Sequence, residues 1–523
     1  MPSPCLGTRA GRRDCVRAFV VTPKPPPGAV SGRQIASGAA WMMLFKIVDK
    51  GIGLISTLIL ARLLMPADFG LVAMATAVLA FTQLMSAFGF DTALIQRQDA
   101  SRPHYDTAWT FNVIFGSVIA VLLLLLSVPT AHFYGEPRLT PILIVLAAGT
   151  LVGGFENIGT VAFRKELDFR SEFRYMLFKR LASFVVTLTL AFTLRSYWAL
   201  VVGIVTGRAA SVWISYRLHP FRPRLSLAKS ADMMHFSKWI FVSSLIQFLQ
   251  NRSTDFILGR TVGSHGLGVY NIAFEIASMP ASEVIAPINR AAYPAYARLA
   301  VDPSALLERF LSIYAVISMV CFPIVALLFF IAEPAVHVVL GPKWLETIPL
   351  LRLLVVCGLM YGLHSNIYTL LVAVGKPQAN TLVQTIVLLV SLPAIVYASL
   401  RFGVMGAAYA QVGASVVSFV AMMTVFRSVT GSGVGKVCLT MLRPLLAATA
   451  MGLLVLGLDL QLLSGGIEPS SPLRLLALCI AGILSHALAA WVLWRAAGSP
   501  LGPEVSLVNM LRERLLGARK PVI

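Results

Sequence analysis

Apolar runs of 18 or more residues recur from one end of this chain to the other. A run of that length is what an α-helix needs to cross about 30 Å of hydrocarbon. Lipid offers the backbone no hydrogen-bonding partner, so a spanning segment is either a helix or a strand of a closed barrel. Long unbroken apolar runs select the helix. Composition agrees: 57% of residues are hydrophobic and 13% charged, where a soluble domain carries about 25% charged residues. The expected fold class is an all-α polytopic membrane protein.

The runs predict fourteen spans. The first six cover approximately 38–60, 69–89, 108–129, 139–162, 176–194 and 197–216. The next six cover 239–258, 267–288, 312–331, 350–374, 381–400 and 405–426, and two more cover 443–461 and 473–494. Residues 1–33, rich in Pro, Arg and Gly, read as a disordered cytoplasmic extension, and Val30 marks an alternative start. The remaining divisions are a six-helix lobe at 34–216, a basic linker at 217–238 and a second six-helix lobe at 239–428. A loop with helices 13 and 14 (429–494) and a tail (495–523) complete the chain.

The formal charge of +20 would suit a nucleic-acid partner, but its distribution argues otherwise. With the N-terminus inside, 29 of the 43 Lys and Arg residues fall on the cytoplasmic side. Only Arg62, Arg138, Arg195, Arg260, Lys343 and Arg401 fall opposite. That asymmetry orients a membrane protein with both termini cytoplasmic, so no nucleic-acid partner is expected.

A constant offset of 198 aligns Trp41 with Trp239, Arg62 with Arg260 and Gly70 with Gly268. Six spans separate the copies, so the two lobes would share one orientation and be related by an axis along the membrane normal.

Against this apolar background Lys46, Asp49 and Lys50 stand inside the first span. Each charge at mid-membrane costs about 2.5–3.5 kcal/mol on insertion scales, so a function is the default explanation. Lys46 and Lys50, four residues apart, share one helix face. In the matching span Gln247, Asn251 and Asp255 form a stripe with Arg252 beside it. These are candidate residues of a cavity between the lobes, and Arg252 with Asp255 can equally be a mutual structural pair. Two cations with one anion suit a phosphate-bearing lipid headgroup, whose oxygens accept charge-assisted hydrogen bonds. Asp49 would then hold the two lysine side chains in place. Secondary candidates are Asn112, Glu156, Lys179, Arg180, Arg208, Asn271 and Glu275, with Asn157 and Glu283 nearby. Lys179 and Arg180 can alternatively snorkel to the headgroups. Arg62 and Arg260, at the outer ends of their spans, read as helix caps and interfacial anchors.

Soluble-enzyme motifs are absent. "TGSGVGKVCL" (430–439) lacks both the first Gly and the final Ser/Thr of a phosphate loop. Six cysteines without a CxxC and eight scattered histidines suggest neither a zinc site nor a disulfide framework. No cofactor, metal or enzymatic activity is expected.

The stretch "ARLLMPADFGLVAMA" (61–75) after a charged first span resembles bacterial polysaccharide flippases. So do "FRKELDFRSEFRY" (163–175) and "DFILGRTVGSHGLGVYNIAFEIASMP" (255–280). These are the exopolysaccharide and lipopolysaccharide O-unit exporters of the multidrug/oligosaccharidyl-lipid/polysaccharide superfamily, in the branch of the colanic-acid and succinoglycan exporters. The resemblance covers roughly residues 33–430. It implies twelve core helices in two lobes, a bacterial inner-membrane location, and a substrate of oligosaccharide on undecaprenyl diphosphate. It also implies that cavity cations, here Lys46, Lys50 and Arg252, engage the diphosphate. Polysaccharide polymerase and assembly proteins are the implied partners. A peptidoglycan-precursor flippase, a cation-coupled multidrug antiporter of the same superfamily, and a membrane glycosyltransferase are the alternatives.

Overall fold

A computed structural model describes residues 32–84, 90–97, 99–230, 237–431 and 433–498. The expectations for residues 1–31 and 499–523, and for the middle of the linker at 231–236, lie outside the described residues. The described chain is almost wholly helical, with no strand among those residues. Its long helices are α1 (Gly32–Leu63), α2 (Pro66–Gln83), α3 (Arg102–Tyr134), α4 (Leu139–Gly154), α5 (Phe169–Leu194) and α6 (Trp198–Leu218). There follow α7 (Ser237–Met279), α8 (Ala286–Leu299), α9 (Pro303–Phe330), α10 (Thr347–Ala373), α11 (Pro377–Thr430), α12 (Val434–Ser464) and α13 (Pro472–Ala496).

Nine of the described helices are long and apolar enough to cross a bilayer, ten if α4 and the following Ile158–Lys165 form one bent span. The expectation of fourteen also counts α1, whose charges lower its hydropathy, and reads α7 and α11 as two spans each, divided at sharp breaks. The breaks fall at Gly263 (φ 72°) and Gly403 (φ 61°), where left-handed backbone favours glycine.

The fourth predicted span, 139–162, departs from a single rod. Its helix stops at Gly154 and resumes at Ile158 with a 65° bend. The intervening turn is bonded within the protein, its Phe155 and Glu156 N–H groups donating to the Val152 and Gly153 carbonyls. The Asn157 N–H donates to Ser215 Oγ (3.0 Å) and its side-chain amide donates to the Phe221 carbonyl (2.8 Å). Asn157 Oδ1 accepts from the Gly159 N–H (2.9 Å). The start of the basic linker is thereby tied to the N-terminal helices. Its Arg224 and Ser226 N–H groups also donate to Asp106 Oδ1 and Thr110 Oγ1 on α3, each at 2.9 Å. Burial, with Arg222 adding, pushes the His219 imidazole below its ordinary range. Its Nδ1 accepts from the Phe221 N–H.

The closest meeting of early and late helices is α2 against α7. A Cβ added at Gly70 would overlap the Ser264 carbonyl, and one at Gly268 would overlap the Pro66 carbonyl. Pro66 and Ser264 are themselves 198 residues apart, so the contact is reciprocal under the sequence offset. Small residues permit this backbone approach in membranes. Beside it, Trp344 Nε1 donates to the Ala61 carbonyl (2.8 Å) and Lys343 Nζ to the Leu63 carbonyl (3.3 Å). Arg62 donates to the carbonyls of Val338 and Val339, the latter at 3.0 Å. Arg62 is thus a cap, as its position suggested, but for the turn Val336–Leu340 rather than for its own helix. Arg260 stacks on Phe133 at 6.0 Å.

Helices α12 and α13 dock on α9. They are clamped together by Arg474, whose fully buried guanidinium donates to both Asp459 oxygens at 2.7 and 2.9 Å. The pairing is two-pronged, through Nε and Nη2, in geometry that suits guanidinium and carboxylate.

Candidate binding site

The rotation of α1 is set by aromatic packing on α5. Trp41 and Phe45 both meet Phe173, at 5.1 and 6.3 Å between ring centroids. That rotation brings Asp49 to α5, where its Oδ1 lies 2.9 Å from Arg180 Nε. Gly53, one turn on, leaves room for the same guanidinium, which lies 3.1 Å from where a Gly53 Cβ would stand. The expectation that Asp49 positions Lys46 and Lys50 is therefore corrected. Its partner is Arg180, which α5 carries directly opposite.

Lys50 reaches across to the late helices. Its Nζ lies 2.8 Å from Glu283 Oε1, on the π-helical turn Pro280–Ile285 that follows α7. Glu275 on α7 lies within electrostatic reach of the same amine. The lysine side chain is 63% exposed and the glutamate 39%, so neither end of this pair is buried within the protein. Lys46, one turn earlier, is exposed and has no ion-pair partner among the described residues. The net positive face read from α1 alone is offset by Glu283 and Glu275 at Lys50, whereas Lys46 remains open.

Arg252 pairs with Asp255 on its own helix at 3.1 Å, the structural alternative weighed above, and Asn271 also hydrogen-bonds Asp255. Asp255 is buried, whereas Gln247 and Asn251 are exposed.

Four secondary candidates gather elsewhere. Asn112, Glu156, Lys179 and Arg208 line one polar cavity of about 360 Å³ among α3, α4, α5 and α6. Glu156 accepts from Tyr175 Oη and from Ser211 Oγ (2.7 Å), and Arg208 donates to Thr150 Oγ1. Asp91, which the sequence reading passed over, also lines it. It sits in the short helix Phe90–Gln96 rather than in a span, so no intramembrane charge drew attention to it.

Many apolar helices with charged side chains held among them define the class: a multi-pass α-helical membrane protein with the fold of known transporters. Solved structures share that fold. A lipid II flippase MurJ in an inward closed conformation superposes with TM-score 0.68 at 12% identity, covering 87% of this chain and 99% of that one. An inward-facing multidrug resistance MATE transporter gives 0.54 at 16% identity, covering 76% and 99%. Within that class, the chain belongs to the polysaccharide biosynthesis protein family, whose profile matches residues 59–349. Similar relatives include the lipopolysaccharide biosynthesis protein WzxC of Escherichia coli, 28% identical over 71% of this chain and 76% of that protein. The teichuronic acid biosynthesis protein TuaB of Bacillus subtilis is 26% identical over 82% and 90%. The succinoglycan biosynthesis transport protein ExoT of Rhizobium meliloti is 23% identical over 62% and 66%.

Proposed function

We propose that this protein is a flippase, not an enzyme, that moves oligosaccharide repeat units on undecaprenyl diphosphate across the bacterial inner membrane for exopolysaccharide or lipopolysaccharide synthesis. Family membership and relatives named for lipopolysaccharide biosynthesis and succinoglycan transport support the substrate class. Polysaccharide polymerase and assembly proteins are the partners that class brings. The chain would comprise two six-helix lobes, 34–216 and 239–428, in a fourteen-span topology with both termini cytoplasmic, and would work by alternating access.

The observation that carries the reading is the pair of lysines on α1. Lys46 is an open cation, and Lys50 is held only by an exposed glutamate that a diphosphate can displace. A diphosphate spanning Lys46 and Lys50 gains charge-assisted hydrogen bonds to both. The polyprenyl tail stays in lipid, so only the polar head needs an aqueous path. Lys46→Ala and Lys50→Ala should each lower polysaccharide export at least about tenfold with normal protein in the membrane. Lys46→Arg should keep part of it, since charge persists while geometry changes. Normal export by both alanine variants would overturn the site.

A further inference from the structure

A second feature lies on the flank of the N-terminal helices, away from α1. Between α4 and α6 an open groove of about 550 Å³ is walled by Val152 and Val212 and rimmed by Trp213, Tyr216, Arg217 and Arg222. The rim falls where α6 gives way to the basic linker, at the depth where spanning helices reach the headgroups. Trp213 is 63% exposed, a large aromatic facing outward at that depth, and tryptophan and tyrosine favour the interface.

The two arginines lie over aromatic rings. The Arg217 guanidinium is 5.2 Å from the Trp213 ring centre and Arg222 is 5.5 Å from that of Tyr216. Stacking fixes each planar group. Neither has a carboxylate partner among the described residues. Arg222 spends donors on the carbonyls of Tyr216, His219 and Phe221, which cap α6. Arg217 has no such duty. Two uncompensated cations above an apolar wall match a negatively charged headgroup followed by an acyl chain, and basic pockets between spanning helices bind such lipids.

We infer that this groove binds an anionic glycerophospholipid, its phosphate on Arg217 and Arg222 and an acyl chain along Val152, Val212 and Trp213. This site is independent of the flippase reading. The test is native mass spectrometry of the full chain exchanged with dioleoyl phosphatidylglycerol or dioleoyl phosphatidylcholine, with soluble glycerol phosphate as the headgroup alone. The wild type should retain phosphatidylglycerol in preference to phosphatidylcholine. Arg217→Gln should reduce that retention about fivefold, the worth of one cation near an anionic surface, and Arg217→Lys should restore part of it. Trp213→Ala should weaken retention of either lipid, and glycerol phosphate should not compete. Equal retention of both lipids, or an Arg217→Gln protein of normal helix content that keeps its preference, would overturn the site. Full competition by glycerol phosphate would show a free-phosphate site and overturn the lipid assignment.

Discussion

At the Arg62 end, early and late helices meet backbone to backbone; at Lys50 the link from α1 to the late helices is a single exposed ion pair. The first contact combines the Gly70–Gly268 approach with Arg62, Lys343 and Trp344, all donating to main-chain carbonyls. Of these the Trp344 bond is buried, where a neutral hydrogen bond contributes about 0.5–1.5 kcal/mol, and the Arg62 and Lys343 bonds are exposed. The second is a pair exposed at both ends, of the kind worth about 0–1 kcal/mol where water reaches it. α1 is thus held to the late helices through main-chain carbonyls near Leu63 and through one exposed pair at Lys50, while α2 and α7 also meet through Phe81 and Phe248.

The largest expected effect tests the tight contact. Gly70→Val would drive methyl groups into the α7 backbone, and overpacking costs about 1–3 kcal/mol even where side chains can yield; backbone cannot. The variant should lose its monodisperse peak in size-exclusion chromatography. A stable Gly70→Val protein would show that the approach is looser than described. Next, Arg62→Ala leaves two carbonyls short of a donor and should lower the thermal midpoint by several degrees. Spin labels placed near Leu63 and near Leu345 should then show a broader distance distribution. An unchanged distribution would remove Arg62 from the contact. Smallest is Glu283→Gln, which frees Lys50. Its thermal midpoint should match wild type at both low salt and about 1 M salt, where exposed pairs are screened, and export should persist. Should this change destabilise as much as Arg62→Ala, the contrast between the two ends is wrong.

The spans were legible because a long apolar run is a local property, and the all-helical fold follows from it. Partnerships were not. The sequence put Asp49 beside two lysines, yet Phe173, on a distant stretch, decides how α1 is turned and gives Asp49 to Arg180. Glu283 was visible as an intramembrane carboxylate, but nothing local announced Lys50 as its partner. The 198-residue offset, read from Trp41, Arg62 and Gly70, also pairs Pro66 with Ser264. Those two residues accept the reciprocal glycine contact, a relation that only packing exposes. The cluster of Asn112, Glu156, Lys179 and Arg208 was legible as intramembrane polarity. Its separation from α1 was not, since residues from α2 to α6 and from the short helix Phe90–Gln96 together build that cavity.

The break in the fourth span has a consequence for the order of synthesis. The Asn157 N–H finds its acceptor on Ser215, 58 residues later, and the Asn157 amide finds another on Phe221. At about 5–20 residues per second, those acceptors leave the ribosome roughly 3–12 s after the turn itself. Until then the nascent segment has water at the membrane interface, rather than Ser215 and Phe221, to satisfy Asn157. Its final settling in the membrane therefore belongs to a later moment of translation than its place in the chain suggests.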